Sequence, residues 1–271
     1  MLINERTNFL DTAIKAAKLA GGVVLRNLGK LSKEDIGLKQ ASDFVTRVDK
    51  ESEVLIISIL KERFPDHFFL AEESARAPET DQYRWIIDPL DGTTNYIHQF
   101  PVFCISIALE YKREIVLGVV YEPLRDELFS SEKGRGAFLN NAPISVSSVG
   151  SLKDCLITTG FPFRKKEAID TYLNLFKNVF LRISDMRRAG SAALDLAYLA
   201  CGRCEGFFEI GLSPWDIAAG SILIKEAGGV ITDFSGGDEY LATGNVVAGV
   251  PSVHNEILTE VKKVFAGIID K

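Results

Sequence analysis

Acidic side chains follow a short apolar run near the first third of this 271-residue sequence. Residues 85–87 are Trp-Ile-Ile, a composition that predicts a strand buried on both faces. Asp88 and Asp91 come directly after this run, and two glutamates at 72–73 lie a short loop upstream. Carboxylates crowded against apolar walls lose hydration and repel one another. Such a cluster binds either protons or cations.

The donors in this segment are hard oxygens, because the carboxylates are joined by the Leu90 carbonyl and the Thr93 hydroxyl. Hard oxygens favour Mg²⁺ or Mn²⁺ over zinc or copper. Residues 92–95, Gly-Thr-Thr-Asn, predict a short helix whose first N–H groups could bind phosphate. The alternative is an Asx turn with a helix cap, which Asp-Gly-Thr also favours. Taken alone, the motif leaves both interpretations open.

Two distant segments favour the cation. Glu72 and Glu73 end an apolar run at 68–70, which places a carboxylate at the tip of a second core strand. Asp216 stands at the start of an apolar helix predicted to run to Ala227. A charge there would also stabilise the helix dipole, and one role does not exclude the other.

The surrounding pattern predicts an α+β half followed by an α/β half. The first half spans 1–148, and we predict helices at 4–28 and 45–64, a mobile loop at 30–43, and strands at 67–71, 84–88, 103–111, 114–121, 127–131 and 144–146. The second half spans 149–271, and we predict strands at 155–160, 182–187, 205–210, 229–234 and 246–250, with helices at 167–180, 191–200, 215–227 and 251–266.

Composition limits the function. The net charge of −6 gives no basic footprint for direct nucleic-acid binding, and no apolar stretch approaches the roughly 20 residues of a membrane span. No signal peptide is recognised, and the cysteines fit a reducing, cytoplasmic setting. Cys201 and Cys204 form a Cys-x-x-Cys pair, but two further zinc ligands at suitable spacing are missing, which favours a structural role.

Four motifs occur in order along the chain: Asp43–Asp49, Glu72–Ser74, Trp85–Asn95, and Trp215–Gly220 with the following Glu226–Gly229. Together they resemble the inositol monophosphatase family and, more narrowly, its bacterial inositol-1-monophosphatase branch. The resemblance implies a layered αβαβα sandwich of the sugar-phosphatase type, in agreement with the two predicted halves.

The resemblance also implies a metal site. Glu72, Asp88 and the Leu90 carbonyl would hold one Mg²⁺, and Asp88, Asp91 and Asp216 would hold a second. A third, weaker ion near Glu72 is also implied, and Mn²⁺ could replace Mg²⁺. Family members are sensitive to Li⁺, so the same sensitivity is expected here.

Catalytic and substrate roles are carried over in the same way. Thr93, hydrogen-bonded to Asp49, would orient the attacking water together with Glu72. Backbone N–H groups of Gly92 and Thr93 would bind the phosphate beside Asp91 and Asp216. The alcohol portion would be contacted by Gly190, Ser191, Ala192 and Glu209. Lys39 near the outer metal and Arg188 are further candidates, and second-phosphate contacts could come from Arg84, Arg164 or Arg188.

The implied activity is Mg²⁺-dependent hydrolysis of a small phosphomonoester, foremost inositol 1-phosphate, by direct attack of metal-activated water. Fructose-1,6-bisphosphatase or dual activity is the alternative within the family. A regulatory role in binding the transcription machinery is an alternative of another class, because residues 185–198 resemble the bacterial branch. We expect a homodimer, with residues 155–200 at the interface.

Overall fold

A computed structural model of the chain describes residues 2–40, 43–74 and 76–266. The predicted halves 1–148 and 149–271 include residue 1, residues 41, 42 and 75, and residues 267–271, which lie outside the described residues. The chain begins with α1 (Leu2–Asn27), the hairpin β1 (Ile36–Gln40) and β2 (Asp43–Thr46), and α2 (Arg47–Arg63). These elements precede a seven-stranded sheet.

The seven-stranded sheet has strands in the order β3-β4-β5-β6-β7-β8-β9. Its strands are β3 (Phe68–Ala71), β4 (Arg84–Asp91), β5 (Cys104–Tyr111), β6 (Glu114–Glu122), β7 (Glu127–Glu132), β8 (Ala137–Leu139) and β9 (Ala142–Ile144). β3 and β4 run parallel, whereas the other neighbours are antiparallel. The short helix α3 (Thr93–Ile97) follows β4.

The second sheet has five strands in the order β11-β10-β12-β14-β13. Its strands are β10 (Leu156–Thr159), β11 (Asp185–Arg187), β12 (Gly206–Glu209), β13 (Val230–Thr232) and β14 (Val246–Gly249). The helices of this half are α4 (Ile169–Phe180), α5 (Ala192–Ala200), α6 (Pro214–Glu226), α7 (Tyr240–Thr243) and α8 (Pro251–Val264).

Packing arranges these elements in five layers. One core joins α1 and α2 to the outer face of the seven-stranded sheet, and a second joins its inner face to α5, α6 and the five-stranded sheet. A third core lies between that sheet and helices α4 and α8. The predicted αβαβα sandwich is therefore confirmed.

The continuous apolar run at the start of β4 follows from this layering. Successive strand residues point to opposite faces of the sheet. Trp85 and Ile87 enter the core with α1 and α2, whereas Ile86 enters the core with α5 and α6. Because both faces are covered, no polar alternation is needed until Asp88.

Some predicted elements differ from the structure. The predicted mobile loop at 30–43 is wrong where it is described, since Lys33–Asp35 form a 3-10 turn and β1 pairs with β2. The Asp35 carboxylate closes that turn by accepting from the backbone N–H and hydroxyl of Ser32. The predicted strand at 144–146 is replaced by β9, which ends at Ile144. Among the described helices, none has the length and apolar character needed to cross a bilayer.

Candidate metal and substrate site

The parallel pairing of β3 with β4 brings the first carboxylates together. Ala71 is in register with Ile87, and the Glu72 N–H donates to the Ile87 carbonyl at 3.2 Å. Glu72 therefore follows β3 where Asp88 stands on β4. Carboxyl ends of parallel strands share one edge of a sheet, so distant sequence positions become neighbours there.

A bulge in β4 places two aspartates at this edge. Asp88 pairs with Ser106 and Asp91 pairs with Cys104, so β4 has one residue more than β5 over this interval. Such a bulge bends a strand and changes the direction of its side chains. The Leu90 N–H donates to an Asp88 carboxylate oxygen at 3.0 Å, which fixes that side chain.

Asp216 comes from the other half of the chain. It is the third residue of α6, which begins at Pro214 behind the N-cap Ser213. Its carboxylate accepts the Ser213 N–H at 2.7 Å and pairs with Arg164 at 3.1 Å. One carboxylate oxygen each from Asp88, Asp91 and Asp216 lies within 4.8 Å of the others.

Burial and mutual repulsion raise the pKa values of the carboxyl groups in this cluster. Burial raises the pKa of Asp91 to about 7, and the nearby charge of Asp216 adds to the effect. Burial also raises the pKa of Glu72 to about 8, although Lys39 opposes the shift. The pKa of Asp88 lies well above its ordinary value, first because of burial and then because of Glu72. A divalent cation would relieve both the desolvation and the repulsion.

Lys39 contacts this cluster from β1. Its ammonium group lies 2.7 Å from Glu72 Oε1 and also contacts Glu73. Lys39 is not among the residues that line the cavity described below. Arg164 and Lys39 thus neutralise part of the carboxylate charge from two sides.

Thr93 joins the site to α2. Its hydroxyl lies 2.8 Å from Asp49 Oδ1, the hydrogen bond that the resemblance implies, and 3.1 Å from the Leu90 carbonyl oxygen. Asp49 is buried and also accepts the Thr46 N–H at 2.9 Å, so it closes the first turn of α2. Burial raises the pKa of Asp49.

Gly92 turns the chain from β4 into α3. Its φ of 94° lies in the left-handed region, and a Cβ there would stand 2.8 Å from the Val102 carbonyl oxygen. Glycine is therefore required at this position both by backbone conformation and by space.

The N-terminus of α5 is hydrogen-bonded to Asp91. The Ser191 hydroxyl and the Ala193 N–H both donate to Asp91 Oδ2, at 2.7 and 2.8 Å. The Asn95 amide donates to the Ala189 carbonyl at 2.9 Å, which ties the same loop to α3. These contacts bring Gly190, Ser191 and Ala192 to the cavity wall.

Glu209 ends β12 on the opposite wall. It is 6% exposed, and a Cβ on Gly160 would lie 1.8 Å from its Oε1. Burial raises the pKa of Glu209 to about 8, Asp216 adds to this, and Arg188 opposes it. Arg188 itself lies over the Phe161 ring at 5.7 Å.

A cavity of about 300 Å³ joins these walls. The predicted residues that line it are Glu72, Asp88, Leu90, Asp91, Gly92, Thr93, Arg164, Arg188, Gly190, Ser191, Ala192, Glu209 and Asp216. Asp49 lies one hydrogen bond behind Thr93. Arg84 is at the far end of β4, buried and paired with Glu110 at 2.7 Å, so the prediction that it contacts a second phosphate is wrong.

The sequence analysis missed Thr159, Gly160, Phe163 and Asp195, which also line the cavity. Asp195 could have been found, because it is the one charged residue in the apolar run Ala192–Ala200. The other three carry no chemical signal in the sequence. They become neighbours of the site only through the pairing of β10 with β12 and the loop that follows β10.

Comparisons with known proteins agree with this geometry. The family model described as the inositol monophosphatase family matches residues 5–265. A relative named Nus factor SuhB from Salmonella typhimurium is 46% identical over 254 residues, covering 93% of this chain and 95% of the relative. The protein of the same name from Escherichia coli strain K12 is 45% identical, with the same coverage.

Solved structures show the same fold. The extragenic suppressor protein suhB from Bartonella henselae superposes with a TM-score of 0.90 at 41% identity, covering 94% of this chain and 99% of that one. An inositol monophosphatase from Anabaena gives a TM-score of 0.86 at 41% identity, covering 96% and 97%. With its family model, its relatives and its fold in agreement, the chain belongs to the inositol monophosphatase family.

Proposed function

We propose that this protein is a Mg²⁺-dependent phosphomonoester hydrolase whose preferred substrate is inositol 1-phosphate. The observation that carries the proposal is the convergence of Asp88, Asp91 and Asp216, from two halves of the chain, within 4.8 Å. This cluster lies at one wall of a cavity of about 300 Å³, large enough for a small phosphate ester.

The donor set fits Mg²⁺ or Mn²⁺. Asp88, Asp91 and Asp216 would hold one ion, and Glu72, Asp88 and the Leu90 carbonyl would hold another. All are hard oxygen donors, and the buried carboxylates lack the hydration that would otherwise stabilise their charge. Bound in pairs, such ions lower the pKa of water and stabilise the attacking and leaving oxygens of a displacement at phosphorus.

The protein's own groups would orient the nucleophile. Because Thr93 donates its single hydroxyl proton to Asp49, its oxygen is left to accept a hydrogen bond from water. Glu72 could accept the second proton of the same water, which directs the remaining lone pair toward phosphorus. The buried Asp49 holds Thr93 in this role and needs no contact with the substrate.

The second half of the chain would hold the alcohol portion. Gly190, Ser191 and Ala192 present the start of α5 to the cavity, and Glu209 faces them from β12. Arg188 lies near both and could also contact an anionic group, which leaves fructose 1,6-bisphosphate as the competing substrate. Arg164 is paired with Asp216, so a second-phosphate role would require it to leave that partner.

A turnover panel tests the proposal. We expect hydrolysis of inositol 1-phosphate to require Mg²⁺ and to exceed hydrolysis of fructose 1,6-bisphosphate in kcat/KM. Li⁺ should inhibit the Mg²⁺-dependent rate. Equal turnover with and without Mg²⁺, or no turnover of any phosphomonoester, would contradict the assignment.

A second candidate function is a role in transcription, favoured by the relatives named Nus factor that share 45–46% identity over 93% of this chain. Arg182 pairs with Glu256 and Glu260, and Arg187 pairs with Asp185. Both arginine side chains are exposed, so a partner could reach them. Pull-down of transcription factors by an Asp91→Asn variant separates the roles. Binding by the inactive variant would support a separate regulatory function. Loss of binding only when Arg182 and Arg187 are substituted would assign the binding site to that surface.

We also propose a homodimer. Exposed apolar side chains lie on and just after α4, within the predicted interface at 155–200, and include Ile169, Leu173, Phe180 and Leu181. Burial of such a surface would stabilise association. Sedimentation equilibrium should give twice the mass of the chain, and substitution of Leu173 and Leu181 by glutamate should give the monomer.

A further inference from the structure

Buried carboxyl groups in this protein divide into two sets. Outside the metal cluster, most accept hydrogen bonds from the chain itself: Glu53 from Glu73 N–H, Glu110 from Arg84, Glu122 from Leu124 N–H, Glu205 from Leu156 N–H, and Asp233 from Ser235 N–H. Two do not. Within the part of the chain that the structure describes, the carboxyl groups of Asp195 and Glu209 receive no hydrogen bond, although they are only 3% and 6% exposed.

These two carboxyl groups line the same cavity. Because the two carboxyl groups line the cavity, their oxygens are open to water or to a ligand and are not sealed in the core. Asp195 is the one charged residue among the buried residues of α5, all the others being apolar. A contribution to the helix dipole alone would be met equally well by an exposed residue in the first turn.

The local backbone leaves room for both groups. Gly160 stands against Glu209, where any side chain would strike the carboxylate. Asp195 lies one helical turn beyond Ser191 and Ala192, so its side chain lies on the same face of α5 as the residues that line the cavity. The two carboxyls therefore form one acceptor wall, reached from the cavity and separate from the cluster at Glu72 and Asp88.

We propose that Asp195 is a further substrate-binding residue, which together with Glu209 binds the hydroxyl groups of the alcohol portion. The proposal rests on the proposed phosphatase function and names its substrate class as hydroxyl-bearing alcohols. Hydroxyls donate to carboxylates and would satisfy both groups. An anionic group on the alcohol would be repelled by the two carboxylates, and the Arg188 charge acts on both of them in the opposite direction.

A cycle of variants and substrates tests this proposal. Inositol 1-phosphate is compared with p-nitrophenyl phosphate, whose leaving group has no hydroxyl to bind, and with deoxy analogues of inositol 1-phosphate. In Asp195→Ala, kcat/KM for inositol 1-phosphate should fall about tenfold, the value of one hydrogen bond, with most of the change in KM. For p-nitrophenyl phosphate it should change less than about twofold.

The deoxy analogue lacking the contacted hydroxyl should lose about tenfold with the wild-type protein and nothing further with Asp195→Ala. If Asp195→Ala does not fold, Asp195→Leu serves the same cycle, because it keeps the approximate shape of the side chain and has no acceptor. Glu205→Ala is the matched control, a buried carboxyl away from the cavity, which should lower thermal stability without changing the ratio of the two substrates.

The outcomes are distinct. Equal losses for both substrates would show a structural role for Asp195, and no loss for either would show no role; each result overturns the inference while leaving the phosphatase function intact. A wild-type protein that hydrolyses neither substrate would overturn the proposed function and the inference together.

Discussion

The two walls of the cavity are built differently. Glu72, Asp88 and Asp91, on the seven-stranded sheet, each have a hydrogen-bonding partner within the chain. Asp195 and Glu209, on the side of the five-stranded sheet, have none among the described residues. The first wall is thus fixed before any ligand arrives, whereas the second keeps its acceptors free for a ligand. The difference suggests that reaction chemistry belongs to one wall and substrate choice to the other.

Asp91→Asn should have the largest effect, because it removes one negative charge from the wall proposed to hold the metal. We expect at least about a thousandfold loss of Mg²⁺-dependent turnover. The amide oxygen can still accept from Ser191 and Ala193, so the melting temperature without metal should be preserved. Steady-state kinetics and circular dichroism measure both.

The matched control is Asp238→Asn, an aspartate with an 87% exposed side chain, which should change neither property. Retained turnover in Asp91→Asn would break the assignment of chemistry to the first wall.

Thr93→Val should come next. It keeps the shape of the side chain but removes the hydroxyl that Asp49 holds at 2.8 Å. We expect kcat to fall about a hundredfold with little change in KM, because orientation of the nucleophile is lost while substrate binding remains. Thr93→Ser should recover most of the rate, and failure of serine to do so would argue for a packing role.

Gly160→Ala tests the second wall alone. Its Cβ would collide with the Glu209 carboxylate, which must then move or distort the backbone. We expect a loss of about 1–3 kcal/mol in the free energy of unfolding and a rise in KM. Mg²⁺ affinity measured by calorimetry should change less than KM, since three of the four proposed carboxylate ligands, Glu72, Asp88 and Asp91, lie on the first wall and the fourth, Asp216, is the one whose charge acts most strongly on Glu209.

Gly150→Ala is the control for this glycine, because a Cβ at that position meets nothing within 4 Å. A large loss of Mg²⁺ affinity in Gly160→Ala would show that the two walls are not independent.

The smallest effect is expected far from both walls, at His67. Its Nδ1 accepts from Trp85 Nε1 at 3.1 Å, and burial among aromatic rings lowers its pKa from 6.5 to about 4. The unfolded chain therefore binds this proton at higher pH than the folded protein. Its contribution to stability is present above pH 6.5 and is lost as the pH falls toward 4.

His67→Asn keeps the acceptor and removes the titration, so it should lose less stability than the wild type between pH 6.5 and 4. Urea unfolding at several pH values measures the difference. Turnover at neutral pH should not change, because His67 lies outside the cavity. Parallel stability curves for the two proteins would contradict the assigned protonation.

Much of this architecture was predictable from the sequence because its signals are local. The apolar run before Asp88 marks a doubly covered strand, and the motifs around Glu72, Asp91 and Asp216 mark where the chain leaves its core elements. Hydrophobic periodicity likewise gave the alternation of strands and helices in the second half.

The remaining features depend on tertiary contacts that no local pattern encodes. The segment 30–43 is mostly polar, which favours a loop, yet β1 within it is held by pairing with β2 and by the contact of Lys39 with Glu72. Arg84 has the same chemistry as Arg188, but its register opposite Glu110 makes it structural. Asp195 becomes a candidate only once the free acceptors of the cavity are compared with the buried carboxyl groups that have partners.

The most direct test of the account is anomalous diffraction from crystals soaked with Mn²⁺. We expect a strong peak coordinated by Asp88, Asp91 and Asp216, and a further peak at Glu72 and the Leu90 carbonyl. Absence of manganese at these carboxylates, with Asp216 still paired to Arg164 and Glu72 to Lys39, would contradict it.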